Sequence, residues 1–187
     1  MKIGISLYIL ILLCFLSPTN VWSRDQTLSF SVMGMSTRSD YGDGSYSRSQ
    51  RFTAAIGINL TSVTEIELTY STGSTTLLNE PIQTSQTRER TYGASLIQTL
   101  VPASWRIQPY VRLGVAQYQR EQESTYYGVA LGRSTVNDPS AMVGAGLRLF
   151  ITSGLSLRVE ATGYMPRMDV NAARKNYAVQ AGVQVGF

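Results

Sequence analysis

The sequence predicts an all-β protein, an eight-stranded antiparallel up-and-down transmembrane β-barrel. Three observations predict this fold. Eight stretches of the chain alternate apolar and polar residues with the two-residue period of a β-strand. The connections between these stretches are alternately short and long. An apolar segment at the N terminus has the features of an export signal.

Each alternating stretch carries apolar residues on one face and small, polar or charged residues on the other. The last stretch shows this most clearly, because every second residue from Tyr177 to Phe187 is apolar and the residues between are alanine, glycine or glutamine. The fourth stretch is the least regular, because Ile97 and Gln98 break the alternation, and we expect a β-bulge or a rim position there. The predicted strands are 27–36, 51–60, 64–71, 91–100, 107–118, 141–150, 155–164 and 177–187.

The N-terminal segment is expected to be removed on export. Lys2 supplies a positive charge, residues 3–16 are almost entirely apolar, and a proline and an asparagine follow. This apolar run has the length of a signal-peptide core and is short for a membrane-spanning helix. We expect a cleaved signal peptide at 1–23 and one barrel domain at 24–187, with an uncleaved anchor helix as the alternative.

The mature chain lacks the residue types on which many enzymes and metal sites rely. The single cysteine, Cys14, lies in the apolar segment, and the sequence contains no histidine. We therefore expect no disulfide, no thiol nucleophile, no cofactor and no metal centre with cysteine ligands. A weak oxygen-ligated calcium site at Asp40 and Asp43 stays open, with a simple turn as the alternative. The net charge is +4, but an exported chain makes a nucleic-acid partner unexpected.

Alternation alone does not say which face points inward. A soluble barrel of the lipocalin kind buries its apolar face, whereas a membrane barrel turns that face towards lipid. The connection lengths favour the membrane, because outer-membrane barrels have short periplasmic turns and long extracellular loops. The short links lie at 61–63, around 101–103 and at 152–154, and the long ones span about 38–50, 72–90, 119–140 and 165–176.

Aromatic residues also favour the membrane. Four of them lie on the apolar face at strand ends beside the long connections, where an interfacial girdle is expected. Tyr118 and Tyr164 lie at similar heights on the polar face, so the girdle is imperfect, and placement by β-propensity is the alternative. The predicted girdle residues are Phe52, Tyr70, Tyr92 and Tyr177.

The polar face of the strands carries three carboxylates and three guanidinium groups, and the apolar face of the strand centres carries no charge. A charge facing the middle of the bilayer costs about 2–4 kcal/mol, which explains that absence. Charges inside a narrow barrel must pair, because an unpaired buried charge is heavily penalised. We predict a network that plugs the lumen, in preference to a gated ion path or proton relay. Its members are Glu65, Glu67, Arg112, Arg148, Arg158 and Glu160.

Most of the remaining charge lies in the long connections or at their rims. Rim arginines can hold phosphate groups bidentately, which makes lipopolysaccharide a candidate partner, with a solvated surface as the alternative. Tyrosines in the same connections suit recognition of an extracellular protein, or packing of the loops on each other. The candidate lipopolysaccharide contacts are Arg51, Arg90, Arg120 and Arg174, and the loop tyrosines are Tyr41, Tyr46, Tyr126 and Tyr127.

The export signal, the eight amphipathic stretches and the terminal phenylalanine resemble the small eight-stranded outer-membrane barrels, the group of the OmpA transmembrane domain, OmpX and the opacity proteins. The stretches PYVRLGVAQY, MVGAGLRLF, LSLRVEATGY and YAVQAGVQVGF carry this resemblance. It implies the outer membrane of a Gram-negative bacterium as the location. It also implies periplasmic chaperones and a barrel-assembly machinery as partners in biogenesis. The assembly signal read by that machinery would comprise Tyr177, Val183, Val185 and Phe187.

Unlike full-length OmpA, this sequence shows no peptidoglycan-binding domain after Phe187, so we expect no role in cell-wall anchoring. Three functions fit such a barrel, because the fold hosts unrelated activities. The first is a structural or surface-interaction role for the loops. The second is a narrow passive channel for small or hydrophobic solutes, as in the OmpW group, against which the predicted plug argues. The third, a lipid-modifying enzyme, is disfavoured because such barrels use a histidine as general base.

Overall fold

The chain forms eight strands that close into one antiparallel barrel. Consecutive strands pair with each other and β1 pairs with β8, so the predicted up-and-down barrel is confirmed. The computed structural model describes residues 26–42, 45–79, 83–127, 129–166 and 176–187. The strands are β1 (Leu28–Gly42), β2 (Ser45–Asn59), β3 (Thr64–Asn79), β4 (Gln83–Thr99), β5 (Ile107–Tyr126), β6 (Val129–Phe150), β7 (Leu155–Pro166) and β8 (Tyr177–Gly186).

Closure of the barrel gives the backbone of the membrane-facing strands its hydrogen-bond partners. Lipid offers none, so a sheet can cross a bilayer only when its edges are joined. The seam between β1 and β8 is extended at its lower end by the last residue. The Phe187 amide donates to the Leu28 carbonyl at 2.9 Å, and the Thr27 amide donates to the Phe187 carbonyl at 2.9 Å.

The apolar face of the wall points outward, which excludes the soluble-barrel alternative. Leu113 and Val115 are 62% and 60% exposed, whereas Glu67 and Arg158 on the polar face are at most 1% exposed. The exposed apolar band therefore faces lipid, and the polar face fills the lumen. None of the described residues belongs to a helix long and apolar enough to span a membrane.

Three of the four long connections are largely strand rather than loop. Most of 38–50, 72–90 and 119–140 continues the neighbouring strands, and β5 and β6 reach 20 and 22 residues. Both faces of these hairpins are mainly polar, so the apolar–polar alternation that predicted the strands ends before the strands do. The hairpins prolong the wall at its upper, extracellular end. The fourth connection, 167–175, and the predicted signal peptide, 1–23, lie outside the described residues.

Two of the short lower links have turns held by a threonine side chain. Thr61 Oγ1 accepts from the amides of Val63 and Thr64 at 3.2 and 3.0 Å. Thr152 Oγ1 accepts from the amide of Leu155 at 3.0 Å. A hydroxyl that accepts backbone amides a few residues further on is a common way to fix a tight turn.

The irregular fourth strand contains no bulge. Pairing of β4 with β3 and β5 continues without a shift through Ile97 and Gln98. Ile97 points into the lumen and is 1% exposed. Gln98 lies near the lower end of the outer face, where its side-chain oxygen accepts from the Thr64 hydroxyl at 2.9 Å. The break in alternation therefore reflects a rim position, and the bulge alternative is wrong.

Replacement of Phe187 by serine is expected to reduce assembly into the outer membrane severalfold. The Phe187 side chain is 76% exposed, so its removal causes little loss of packing within the protein. The serine variant keeps the backbone hydrogen bonds that residue 187 makes with Thr27 and Leu28. The measurement is the amount of barrel in the outer-membrane fraction that migrates differently on SDS gels before and after boiling. Trimming the tip of the 119–140 hairpin is the control. Equal losses in both variants would contradict an assembly signal at Phe187.

Candidate functional site in the barrel lumen

Two guanidinium groups and two carboxylates form a closed ring in the lumen. Strand β7 supplies Arg158 and Glu160, which face inward together because they are two residues apart. Arg158 pairs with Glu160 and with Glu67 of β3. Arg112 of β5 pairs with the same carboxylates, its Nη1 2.6 Å from Glu160 Oε1 and its Nη2 3.0 Å from Glu67 Oε1. All four side chains are at most 2% exposed.

Tyr110 connects this ring to a third ion pair. Its hydroxyl accepts from Arg158 Nε at 2.7 Å and donates to Glu160 Oε2 at 2.8 Å. The guanidinium carbons of Arg148 and Arg158 lie 4.9 and 5.2 Å from the centre of its ring, within the range of a cation–π contact. Arg148 in turn pairs with Glu65 at 2.5 Å. The six predicted charges belong to one buried assembly, so the Glu–Arg network is confirmed.

Serine and threonine hydroxyl groups form additional hydrogen bonds with the charged side chains of the network. Thr162 donates to Glu160 at 2.6 Å, Ser95 accepts from Arg112 Nε at 2.9 Å, and Ser29 donates to Glu65. Buried ion pairs are tolerated only when such additional bonds compensate for lost hydration. Space for these groups comes from small residues on the same face. A Cβ atom on Gly57 would lie 2.5 Å from Ser29 Oγ, so glycine leaves room for the Ser29–Glu65 contact.

A second polar cluster lies higher in the lumen, close to its extracellular mouth. Arg51 of β2 pairs with Glu89 of β4, and the Tyr118 hydroxyl donates to Glu89 at 2.7 Å. The Arg51 guanidinium lies 5.5 Å from the Tyr164 ring centre, and the two tyrosine rings are 6.3 Å apart. Tyr118 and Tyr164 are therefore lumenal residues of this cluster, which explains why they lie on the polar face.

Two of the four predicted lipopolysaccharide contacts, Arg51 and Arg120, have side chains that face the lumen. Arg51 faces inward, since its neighbour Phe52 faces lipid. Arg120 also faces inward, two residues beyond buried Tyr118, and its Nη2 donates to Gln122 at 3.4 Å. Arg90 is exposed on the outer face, and Arg174 lies outside the described residues.

The four predicted girdle residues are all exposed on the outer wall. Tyr70 and Tyr92 are direct partners on β3 and β4, with ring centres 5.1 Å apart. Just above them the wall becomes polar: Arg90 pairs with Thr72, and Arg88 with Ser74. A shallow groove of about 310 Å³ runs along this outer surface. The groove is lined by Gln50, Arg51, Phe52, Thr72, Gly73, Ser74, Arg88, Glu89 and Arg90.

A family described as "Outer membrane protein beta-barrel domain" matches residues 9–187 of the sequence. The chain belongs to this family. Membership places it among the outer-membrane barrels of Gram-negative bacteria. A search among curated proteins finds no match.

Solved structures show the same fold at low sequence identity. The N-terminal barrel of Pseudomonas aeruginosa OprF has a TM-score of 0.56 and 16% identity, with 87% of this chain and 98% of that chain covered. Ail of Yersinia pestis gives 0.53 and 10%, covering 86% and 96%. Neisserial surface protein A gives 0.52 and 15%, covering 86% and 96%. Identities this low establish the architecture and leave the activity open.

The lumen of this outer-membrane barrel has one cavity at each end. The upper cavity, of about 160 Å³, lies against the Arg51–Glu89 cluster. The lower cavity, of about 30 Å³, lies against Glu65 and Arg148. The ring formed by the other four charges lines neither cavity. In the described part of the chain no cluster of three or more potential metal ligands occurs, and Asp43 of the candidate calcium site lies outside it.

Replacement of Arg158 by methionine is expected to destabilise the folded barrel by about 3–5 kcal/mol, because two buried carboxylates, Glu67 and Glu160, are then left with a single guanidinium group, that of Arg112, between them. The double variant Glu67→Gln/Arg158→Met removes one charge of each sign and should recover most of that loss. The measurement is the unfolding midpoint of the refolded barrel in urea, read from its migration on unboiled SDS gels. A double variant as unstable as Arg158→Met would show that packing, rather than charge balance, sets the cost.

Proposed function

We propose that this outer-membrane barrel has a structural or surface-interaction role in which its outer wall and hairpins contact lipopolysaccharide or an extracellular partner. The observation that carries this proposal is the division of the molecule into a blocked lumen and a protruding upper wall. Buried ion pairs occupy the lumen, while β1 to β6 continue beyond the aromatic girdle. The exported chain would enter the membrane with the help of periplasmic chaperones and the barrel-assembly machinery, after loss of its signal peptide.

Lipopolysaccharide is the partner that suits the groove beside Arg88 and Arg90. Both arginines are exposed, and both lie directly above the girdle residues Tyr70 and Tyr92. Girdle aromatics lie at the level of the lipid head groups, so these guanidinium groups stand at the height of the lipid A phosphates. Guanidinium binds phosphate with two parallel hydrogen bonds, which lysine does not match.

An extracellular partner would meet the upper parts of the hairpins. The tip of β5 and β6 exposes Tyr126, Tyr127, Val129 and Leu131, and exposed tyrosine is favoured in protein recognition. Ail has been solved with sucrose octasulfate, a heparin analogue. A polyanion of that kind approaching this chain would meet outward-facing arginines on neighbouring strands. Arg38 and Arg48 are direct partners there and are both exposed.

A narrow passive channel is the second candidate, and the cavities at both ends of the lumen favour it. Conduction would require the ring of Glu67, Arg112, Arg158 and Glu160 to open, because these side chains fill the path between the cavities. An eight-stranded barrel is just wide enough for side chains to fill its interior. Enzyme activity is not proposed, since the chain has no histidine to act as a general base near neutral pH.

The double variant Arg88→Ser/Arg90→Ser is expected to weaken lipopolysaccharide binding by about tenfold, which is 1.4 kcal/mol. The measurement is titration of the refolded barrel with purified lipopolysaccharide, followed by its thermal unfolding midpoint. Arg38→Ser/Arg48→Ser removes the same charge from a higher part of the outer face and is the matched control. Equal weakening in both variants would mean that net charge, and not this groove, attracts the lipid.

The native barrel is expected to give no discrete current steps in a planar bilayer, because the ion-pair ring closes its lumen. Replacing the four ring residues Glu67, Arg112, Arg158 and Glu160 together by serine keeps the charge balance and should open a measurable path, which makes it the positive control. Steady single-channel currents from the native protein would instead support the passive channel.

A further inference from the structure

Above Arg51, the charged side chains of β1, β2 and β4 lie on the outward face of the hairpins. Arg38 and Arg48 lie on the outward face of β1 and β2, and Arg88 and Arg90 on that of β4. In the described part of β1 to β3 above Arg51, the inward face carries no charge. Its residues are mostly hydroxyl-bearing, with cross-strand pairs such as Ser49 and Thr75. The inward hydroxyl residues of β1 to β4 include Thr37, Ser39, Ser47, Ser49, Thr75 and Thr87.

The upper cavity lies at the base of this hydroxyl-rich surface, and we call it the mouth cavity. The Arg51–Glu89 pair lines it together with the rings of Tyr118 and Tyr164. Ser49 and Thr75 line another side, with their hydroxyl oxygens 3.0 Å apart. The volume of about 160 Å³ is well below the roughly 300 Å³ at which pockets for drug-sized ligands begin. The cavity therefore suits a single small ring.

One donor of the cavity-lining Arg51 side chain makes no hydrogen bond with the described residues. Arg51 Nη2 pairs with Glu89, whereas Nη1 is buried and the guanidinium lies 5.5 Å from the Tyr164 ring centre, so a ligand reaches Nη1 when the guanidinium turns towards the cavity. A buried donor of this kind is costly unless a ligand or water accepts from it. The Arg51–Glu89 pair is neutral as a whole, so the cavity offers a donor without a net positive charge. An anion that reached Arg51 would also meet the Glu89 carboxylate.

These properties together match an uncharged sugar ring. Its hydroxyl groups both donate and accept, as do the serine and threonine hydroxyls of the wall. A hydroxyl oxygen can accept from Arg51 Nη1, and a hydroxyl hydrogen can be donated to Glu89. The C–H face of the ring can pack on the tyrosine side chains, which combine apolar surface with a polar end. Neighbouring sugar residues of a chain would lie against the inward hydroxyl residues above the cavity.

We propose that the mouth cavity binds one neutral sugar residue of a surface polysaccharide. This inference deepens the surface-interaction role and rests on it. The polysaccharide can belong to the cell's own lipopolysaccharide or to a foreign surface, and the ring chemistry that the cavity recognises is the same for both sources.

The test uses saturation-transfer NMR with the full mature barrel, refolded in a detergent that has no sugar head group. The probes are the neutral disaccharides sucrose, lactose, maltose and N,N′-diacetylchitobiose, the polyanion sucrose octasulfate, and the core oligosaccharide released from the cell's own lipopolysaccharide. We expect transfer to at least one neutral probe, concentrated on one of its rings. Transfer to the cell's own oligosaccharide alone would identify that source, and transfer to the disaccharides alone would identify a foreign one. No transfer to any of the disaccharides or to a neutral ring of the core oligosaccharide would overturn the proposal.

Two variants locate the site. Ser49→Phe fills the mouth cavity and leaves the Arg51–Glu89 pair in place, and we expect it to weaken binding of the neutral sugar about tenfold or more. Arg51→Met removes the unpartnered donor and should do the same. Arg48→Met removes an arginine from the outward face of the same strand and should change the affinity less than twofold. Each variant must first show the heat-dependent gel shift of a folded barrel.

Weakening by Ser49→Phe and Arg48→Met to the same extent would overturn the mouth cavity as the site. Binding of sucrose octasulfate alone would overturn the proposal that the ligand is a neutral sugar. A polyanion is expected to bind the outward-facing arginines rather than the mouth cavity. Titration with lipid A, which carries the phosphates but not the polysaccharide, distinguishes this failure from failure of the proposed function. The groove beside Arg88 and Arg90 lies on the outer wall, so Ser49→Phe should leave the lipid A titration unchanged.

Discussion

An extended strand turns each side chain to the face opposite its neighbour, and in this barrel one face meets lipid while the other fills a narrow lumen. Every later feature follows from that alternation. It places Phe52 in the girdle and Arg51, one residue earlier, in the upper lumenal cluster. It also places Arg38, Arg48 and Arg88 on the outward face of the upper hairpins, and Ser49 and Thr75 on their inward face. A shift of the pairing by one residue would exchange the two faces completely, so the register is strongly specified.

The centre of the molecule is held by ions and hydroxyl groups rather than by an apolar core. Carboxylates and guanidinium groups occur in equal number in the central network, and each pairs with at least one opposite charge. Apolar side chains mostly face lipid, where their burial against the chain contributes little. The ion pairs depend on the observed strand register, because a shift of one residue would turn a strand's charged side chains away from the lumen.

The membrane part of the fold was predictable from the sequence because lipid imposes a strict pattern on it. The eight strands and the six charges on one face follow from the two-residue period, and the outward direction of the apolar face follows from the alternately short and long connections. Tyr110 was missed because an aromatic residue on the polar face resembles an imperfection of the girdle. Its position two residues before Arg112 could have indicated a lumenal role, since both share one face of β5.

Prediction failed where the environment no longer distinguishes the two faces. The upper hairpins are mainly polar on both sides, so the strands were ended too early and their residues were treated as loop. Arg51 and Arg120 were then assigned to the surface without regard to parity. Arg51 already lies in the predicted strand 51–60, where counting from Phe52 turns it inward. Continuing the predicted strand 107–118 past Tyr118 would have turned Arg120 inward as well. Pairs such as Arg51 and Glu89, on strands that are not neighbours, depend on barrel closure and have no local sequence signal.

The length of β5 and β6 determines how far this hairpin extends from the cell surface. Eight residues separate Tyr118, level with the upper lumenal cluster, from Tyr126 at the hairpin tip, which is about 26 Å along an extended strand. With the strand tilt usual for such barrels, about 40°, the tip rises about 20 Å above that level. An antibody or a phage approaching through a coat of polysaccharide would meet this tip before it reached the barrel wall beneath. Substitutions at the exposed tip disturb no lumenal contact, so this hairpin can change its antigenic identity while the barrel beneath it stays the same.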